Sequence, residues 1–195
     1  TINPRAIIRL QGAAGPWWET RDNADPTGDR NPLRILNGDH KFAAREIYAT
    51  MANGLFAMVL ATDKDDLIEA APPDVASDHA SPVPDKRVKA PLCINCHAGT
   101  LQPLQDYSRR VFGGGKGIAI GVPADRAKAK RLQQLYLGPL FEELDEDKTR
   151  YVKTLKRFVG MTPSEMSKSI TNAYYGYESS LSQSQVAIEL GVTKE

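Results

Sequence analysis

Cys93-Ile94-Asn95-Cys96-His97 is the segment of this chain whose residue types and spacing point most directly to chemistry. Two thiols separated by two residues, with an imidazole next in line, form the C-x-x-C-H pattern that attaches haem c. The spacing lets both sulfurs reach the two vinyl positions along one edge of a porphyrin and sets the imidazole under the iron. The chain has two cysteines in all, and both lie in this motif. They therefore point to local chemistry rather than to a disulfide framework. Pro91 restricts the entry to the motif, and Ala98-Gly99 keeps the exit slim. The expected cofactor is one covalent haem c, bound through Cys93 and Cys96 with His97 as proximal iron ligand.

Zinc is a weaker reading, because a closed zinc site needs a fourth ligand and crowded cysteine pairs usually come with a second pair. A thioredoxin-like redox pair would follow a strand at a helix start in an alternating β and α pattern, which the flanking sequence does not show. The Gly113-Gly114-Gly115-Lys116-Gly117 run lacks the Gly-Lys-Ser/Thr ending of a phosphate-binding loop.

The second axial position decides between electron carriage and ligand binding. His40, His79, Met51, Met58, Met161 and Met166 are the available side chains. His79 lies in a proline-rich connection and reads as a solvated loop histidine. Met58 alternates with Phe56 and Leu60 and reads as core. Met161 lies beyond His97 at a separation like that of small class I cytochromes, although an apolar residue there also suits the start of a helix.

Around these residues the sequence sets out the following elements. Thr1 to His40 is rich in turn formers, among them Gly12, Gly15-Pro16, Asp25-Pro26 and Asn37-Gly38, and reads as an irregular extension. Strand-like runs on either side of Asn53-Gly54 predict a β-hairpin over 46–62 with a type I′ turn. Residues 63–90, with Pro72, Pro73, Pro82 and Pro84, read as a long irregular connection. Helical spacing then dominates 101–191: one helix from Leu101, a second over Pro123 to Leu137, and a third through Leu140, Leu144, Tyr151, Leu155 and Val159, interrupted at Lys148. Thr162-Pro163-Ser164-Glu165 and Ser182-Gln183-Ser184-Gln185 are capping boxes that open two more. The expected fold is mostly α: a cytochrome c-like helical haem domain over 41–195, with a small β-hairpin and an irregular N-terminal extension over 1–40.

Composition bounds the partners. Twenty-five Lys and Arg against 24 Asp and Glu leave a formal net charge of +1, without the basic field that nucleic-acid binding needs. Mean hydropathy is -0.41, and apolar runs such as Leu55 to Ala61 are too short to span a bilayer. The expectation is no nucleic acid and no membrane span in this chain.

In order along the chain, Trp17-Trp18-Glu19, Arg30-Asn31-Pro32-Leu33, the stretch from His40 through Glu46-Ile47-Tyr48 and Asn53-Gly54-Leu55 to Asp63, Leu92 to Gly99, and Ala187 to Thr193 resemble the planctomycete-type cytochrome c-like domains found as modules in larger extracytoplasmic bacterial proteins. That family places a histidine where His40 stands, so the resemblance implies His40 as the distal iron ligand, with Met161 as the alternative. The sequence departs from the family in the length of its 63–89 connection. The resemblance implies a mono-haem cytochrome domain, periplasmic or extracellular, carrying single electrons to or from a redox partner protein or a fused or associated oxidoreductase subunit. No second catalytic constellation accompanies the motif, which favours a non-catalytic electron carrier over an enzyme. A haem sensor or peroxidase-like domain with an open distal iron site is the other reading.

Overall fold

The computed structural model describes residues 5–25, 27–79, 81, 82, 86–90, 93, 97, 100–104, 127, 130, 131, 134 and 138–192, without the side chains of 36 and 37. Its centre is a four-stranded antiparallel sheet in sequential order. The strands are β1 (Ala6–Gln11), β2 (Pro16–Asp22), β3 (Ala44–Thr50) and β4 (Phe56–Ala61). Three helices are described along their full length: α1 (Leu140–Val159), α2 (Pro163–Glu178) and α3 (Gln183–Glu189).

The mostly α, cytochrome c-like fold is thereby corrected to a mixed one of sheet and helices. The residues read as an irregular extension supply half of the sheet. Gly12 and Gly15 bond to each other's backbone across a tight turn, at 2.9 and 3.3 Å, so these turn formers join two strands rather than replace them. Ala6-Ile7-Ile8 and Trp17-Trp18 supply the β-branched and aromatic residues that suit a pleated, half-buried surface. The hairpin expected over 46–62 is the β3–β4 pair, but its connection is not a type I′ turn. Thr50 pairs with Phe56, leaving a five-residue loop in which Gly54 alone takes a positive φ, 81°. A Cβ on Gly54 would stand 3.0 Å from the Thr154 hydroxyl on α1, so glycine serves close approach as well as the turn.

The expected third helix is α1, and it runs through Lys148 without a break. Both capping boxes form, at Thr162 for α2 and Ser182 for α3, each with the reciprocal side-chain and backbone bonds. Of the expected helix from Leu101, residues 101–104 are not helical and the remainder lies outside the described residues. Within the expected second helix the four described positions are helical.

Strand alternation sorts the sheet into two faces. Ile7, Trp18, Tyr48, Phe56, Met58 and Leu60 share one face by register, and this face carries the core. Trp18 and Tyr48 join Leu101 and Leu144 in one buried cluster. Phe56 stacks on Tyr151 at 4.5 Å and 2° between planes, and Tyr151, Leu155 and Met166 continue the core toward the β3–β4 loop. The opposite face carries Glu19, 2% exposed, which accepts from Arg21 at 2.7 Å and pairs with Arg45 at 3.6 Å. Phe42 packs against both guanidiniums.

Asp147 fastens α1 to the sheet. Its carboxylate, 2% exposed, accepts from Trp18 Nε1 and Arg9 Nε, each at 2.9 Å, and from Arg150 at 3.1 Å. Asp147→Ala leaves a buried indole N–H and a half-buried guanidinium without their acceptor and is expected to cost about 3 kcal/mol. Arg150→Ala, at an exposed side chain, is expected to cost under ~1 kcal/mol. Urea unfolding of the two variants checks this, and equal losses would refute the assignment.

Candidate functional site

The connection from β4 back to the cysteine motif is more ordered than its prolines imply. Ile68 N–H donates to Leu60 at 3.0 Å, Ala71 to Val88 at 2.9 Å and Ala90 to Glu69 at 3.0 Å. Isolated bridges pair Ala70 with Lys89 and Ser77 with Arg87. The chain thus runs out and returns along itself, delivering Ala90 beside the end of β4. Helix α2 holds the outer part: Lys89 pairs with Glu178 at 2.7 Å, and the Tyr175 hydroxyl donates to Asp78 at 2.5 Å.

Ala90, Cys93 and His97 are helical. Cys93 and His97 both meet the apolar face of the sheet. Cys93, 4% exposed, packs with Leu60 and Ala71, and Met58, Ile68, Ala76, Val88 and Ala90 surround the group. One turn on, the His97 ring lies 4.5 Å from the Tyr48 ring at a tilt of 39°. Thr100 N–H donates to the His97 carbonyl at 3.1 Å, and Leu101 then enters the Trp18–Tyr48 cluster. The segment therefore crosses the sheet from β4 toward β2.

Burial depresses the basicity of His97. The nearby Glu46 carboxylate pulls in the opposite direction, and Arg5 adds to the lowering. The imidazole is therefore neutral near pH 7, the state that binds metals. Its Nδ1 is buried with no hydrogen-bond partner among the described residues. A neutral imidazole four residues after a thiol is the donor set that the C-x-x-C-H pattern offers to a haem c. Cys96 lies outside the described residues.

His40 and Met161 are set elsewhere. His40 is buried, with Nε2 donating to the Arg30 carbonyl at 3.2 Å and its ring 5.9 Å from Phe42. Phe42 packs on Arg21 and Arg45, which alternation puts on the face away from Tyr48. Helix α1 starts near Tyr48 through Leu144 and ends past Leu155, which packs beside Leu55. At 1.5 Å per residue it carries its C-terminal end, and Met161 beyond it, roughly 20 Å from Leu144. Met161 is 39% exposed there. The structure brings together Cys93 and His97, and neither His40 nor Met161 joins them.

Tyr48 and Glu46 are the site neighbours that the sequence did not single out. Both occupy even positions of a strand, and which helix they meet depends on packing that no local pattern records.

The chain matches no family model, no curated protein and no solved structure at a significant level. Among the described residues no helix is long and apolar enough to cross a membrane, and no group of three or more His, Cys, Asp and Glu side chains could hold a bare metal ion.

Burial also holds the pKa of His40 below its ordinary value of 6.5, against the pull of the Arg30 carbonyl and Asp39. The unfolded chain then takes up a proton that the folded chain resists, so stability is lost as pH falls from about 6.5 toward the folded value. Urea midpoints measured on either side of that pH are expected to drop on acidification, and His40→Gln to flatten the drop. An identical drop in the variant would refute the contribution of His40.

Proposed function

We propose that this chain carries one covalent c-type haem, joined through Cys93 and Cys96 and ligated by His97, and passes single electrons to or from a protein partner. The observation that supports the reading is the placement of Cys93 and His97, four residues apart in a C-x-x-C-H pattern, against the same apolar sheet face, with an imidazole held neutral by burial. The bound group would supply an iron that cycles between ferric and ferrous states. The residues of the chain do the rest. Tyr48 flanks the imidazole and limits its rotation. The apolar ring of Leu60, Ala71, Ile68 and Val88 around Cys93 excludes water from the sulfur. A low-dielectric surround of this kind is one of the levers that set a haem potential.

The partner in this proposal is a redox protein or an associated oxidoreductase subunit. The setting is the bacterial periplasm or cell surface, where c-type haem is joined to its thiols. The function sits on a sheet-centred scaffold rather than on a helical cytochrome fold.

The test is production of the chain in bacteria with the haem-attachment machinery. The wild-type chain is expected to retain haem through denaturing electrophoresis and to show a low-spin spectrum in both redox states. Cys93→Ser combined with Cys96→Ser is expected to abolish retention, and His97→Ala to abolish the low-spin spectrum. A wild-type chain without covalent haem would sink the reading. A high-spin ferrous form that binds carbon monoxide readily would replace electron carriage with ligand sensing or peroxidase-like chemistry.

A further inference from the structure

Two apolar surfaces of this chain stand without a partner among its described residues, and neither belongs to the cysteine segment. The first is the sheet face turned away from α1. Register places Ile8, Glu19, Ile47 and Val59 in one row across the four strands, with Leu10 beside Trp17 in the next row. At the other end of this face Phe42 packs over Arg21 and Arg45. Ile8, Trp17, Ile47 and Val59 are half-buried, Leu10 is exposed, and none of them joins the buried clusters of the core. An antiparallel sheet face left to water carries polar side chains, so an apolar one marks a surface that something else covers.

The second surface is α3 with its flanks. Local sequence closes this helix at both ends. The capping box at Ser182 opens it. Gly191, at φ 63°, ends it: the Gly191 N–H donates to the Ile188 carbonyl at 3.1 Å and the Val192 N–H to the Ala187 carbonyl at 2.9 Å. Seven residues are too few to hold a helix in water by propensity, and packing of an apolar face supplies most of the stability of such an element. Yet no residue of α3 is buried. Leu181, Val186, Ile188, Leu190 and Val192 are all exposed, Ile188 at 76% and Leu190 at 70%. Val186 and Leu190, four apart, stand on one side of the helix.

We propose that two copies of this chain form a symmetric dimer in which α3 of each lies on the open sheet face of the other. Size selects this occupant. Two helices of seven residues touch over only about 10 Å. Packed on each other they would cover roughly 500 Å² in all, well below the ~1,200 Å² of a stable interface. The four strands present a face about 19 Å wide at their usual spacing. An arm of residues 181–192 laid on it covers roughly 700 Å², and a twofold axis repeats the contact to give about 1,400 Å². Reciprocal exchange buries both surfaces at once and closes on itself, so no apolar face is left to extend a filament. It asks nothing of the cysteines, which lie on the other side of the sheet from the contact.

The test is the mass of the full chain in solution, by sedimentation or light scattering at micromolar concentration. The wild type is expected at twice the 21.4 kDa of one chain. Ile188→Asp with Leu190→Asp changes two side chains exposed in the single copy and is expected to halve that mass. Ile8→Lys with Leu10→Lys, on the edge strand of the open face, is expected to halve it as well. In both variants the near-ultraviolet circular dichroism of the buried Trp18 and Tyr48 is expected to persist, which separates dissociation from unfolding. A monomeric wild type would overturn the proposal and leave these surfaces to another segment or another protein. A dimer that survives either double variant would overturn it too, and survival in the sheet variant alone would mean that α3 meets α3.

Discussion

The carboxylate of Asp147 is the point on which the arrangement of this molecule turns. A buried charge is tolerated only when it is paired and hydrogen-bonded, and here Trp18, Arg9 and Arg150 all donate to it. Two of the three donors come from neighbouring strands and the acceptor from a helix more than a hundred residues later. The bonds therefore fix both how far α1 lies from the sheet and where along the strands it sits. With Asp147 seated, Leu144 meets Trp18 and Tyr48, and Tyr151, two turns after Leu144, lies flat on Phe56. The remaining apolar surface of the same sheet face, around Met58 and Leu60, is then left to the cysteine segment.

How much of this could be read from the sequence depends on how local each cause is. The capping boxes at Thr162 and Ser182 are complete within four residues, and both form as written. The stripe of α1 is a periodic signal over many turns, and it outlasts Lys148 because a long side chain can lie along the surface with its charge in water. The N-terminal strands were misread because Gly12, Gly15 and Pro16 look the same whether they end structure or link two strands. What separates the cases is a partner strand, and β2 finds one of its partners more than twenty residues away in β3. The loop around Gly54 shows the same limit: Asn53-Gly54 fits a tight two-residue turn, but pairing closes only at Thr50 and Phe56, and α1 lies close enough that a Cβ on Gly54 would meet Thr154.

The site divides along the same line. Cys93, Cys96 and His97 lie within five residues, so the pattern they form is visible without any fold. Their surroundings are not. Tyr48 reaches His97 through sheet register, and Met58 reaches Cys93 through the return of a connection that its prolines present as formless. His40, expected as the distal ligand, sits on the other side of the sheet, with one ring nitrogen held by the Arg30 carbonyl.

The burial of Cys93 imposes an order of events. Its sulfur lies under β4, the returning strand of the connection and the residues around Ala76, and α2 clasps that connection from outside through Glu178 and Tyr175. A reagent that reaches this thiol must first part these contacts. Chemistry at the thiol is therefore easier in the newly made chain than in the folded one. The fold that follows acts as a seal that shields the sulfur from exchange and oxidation.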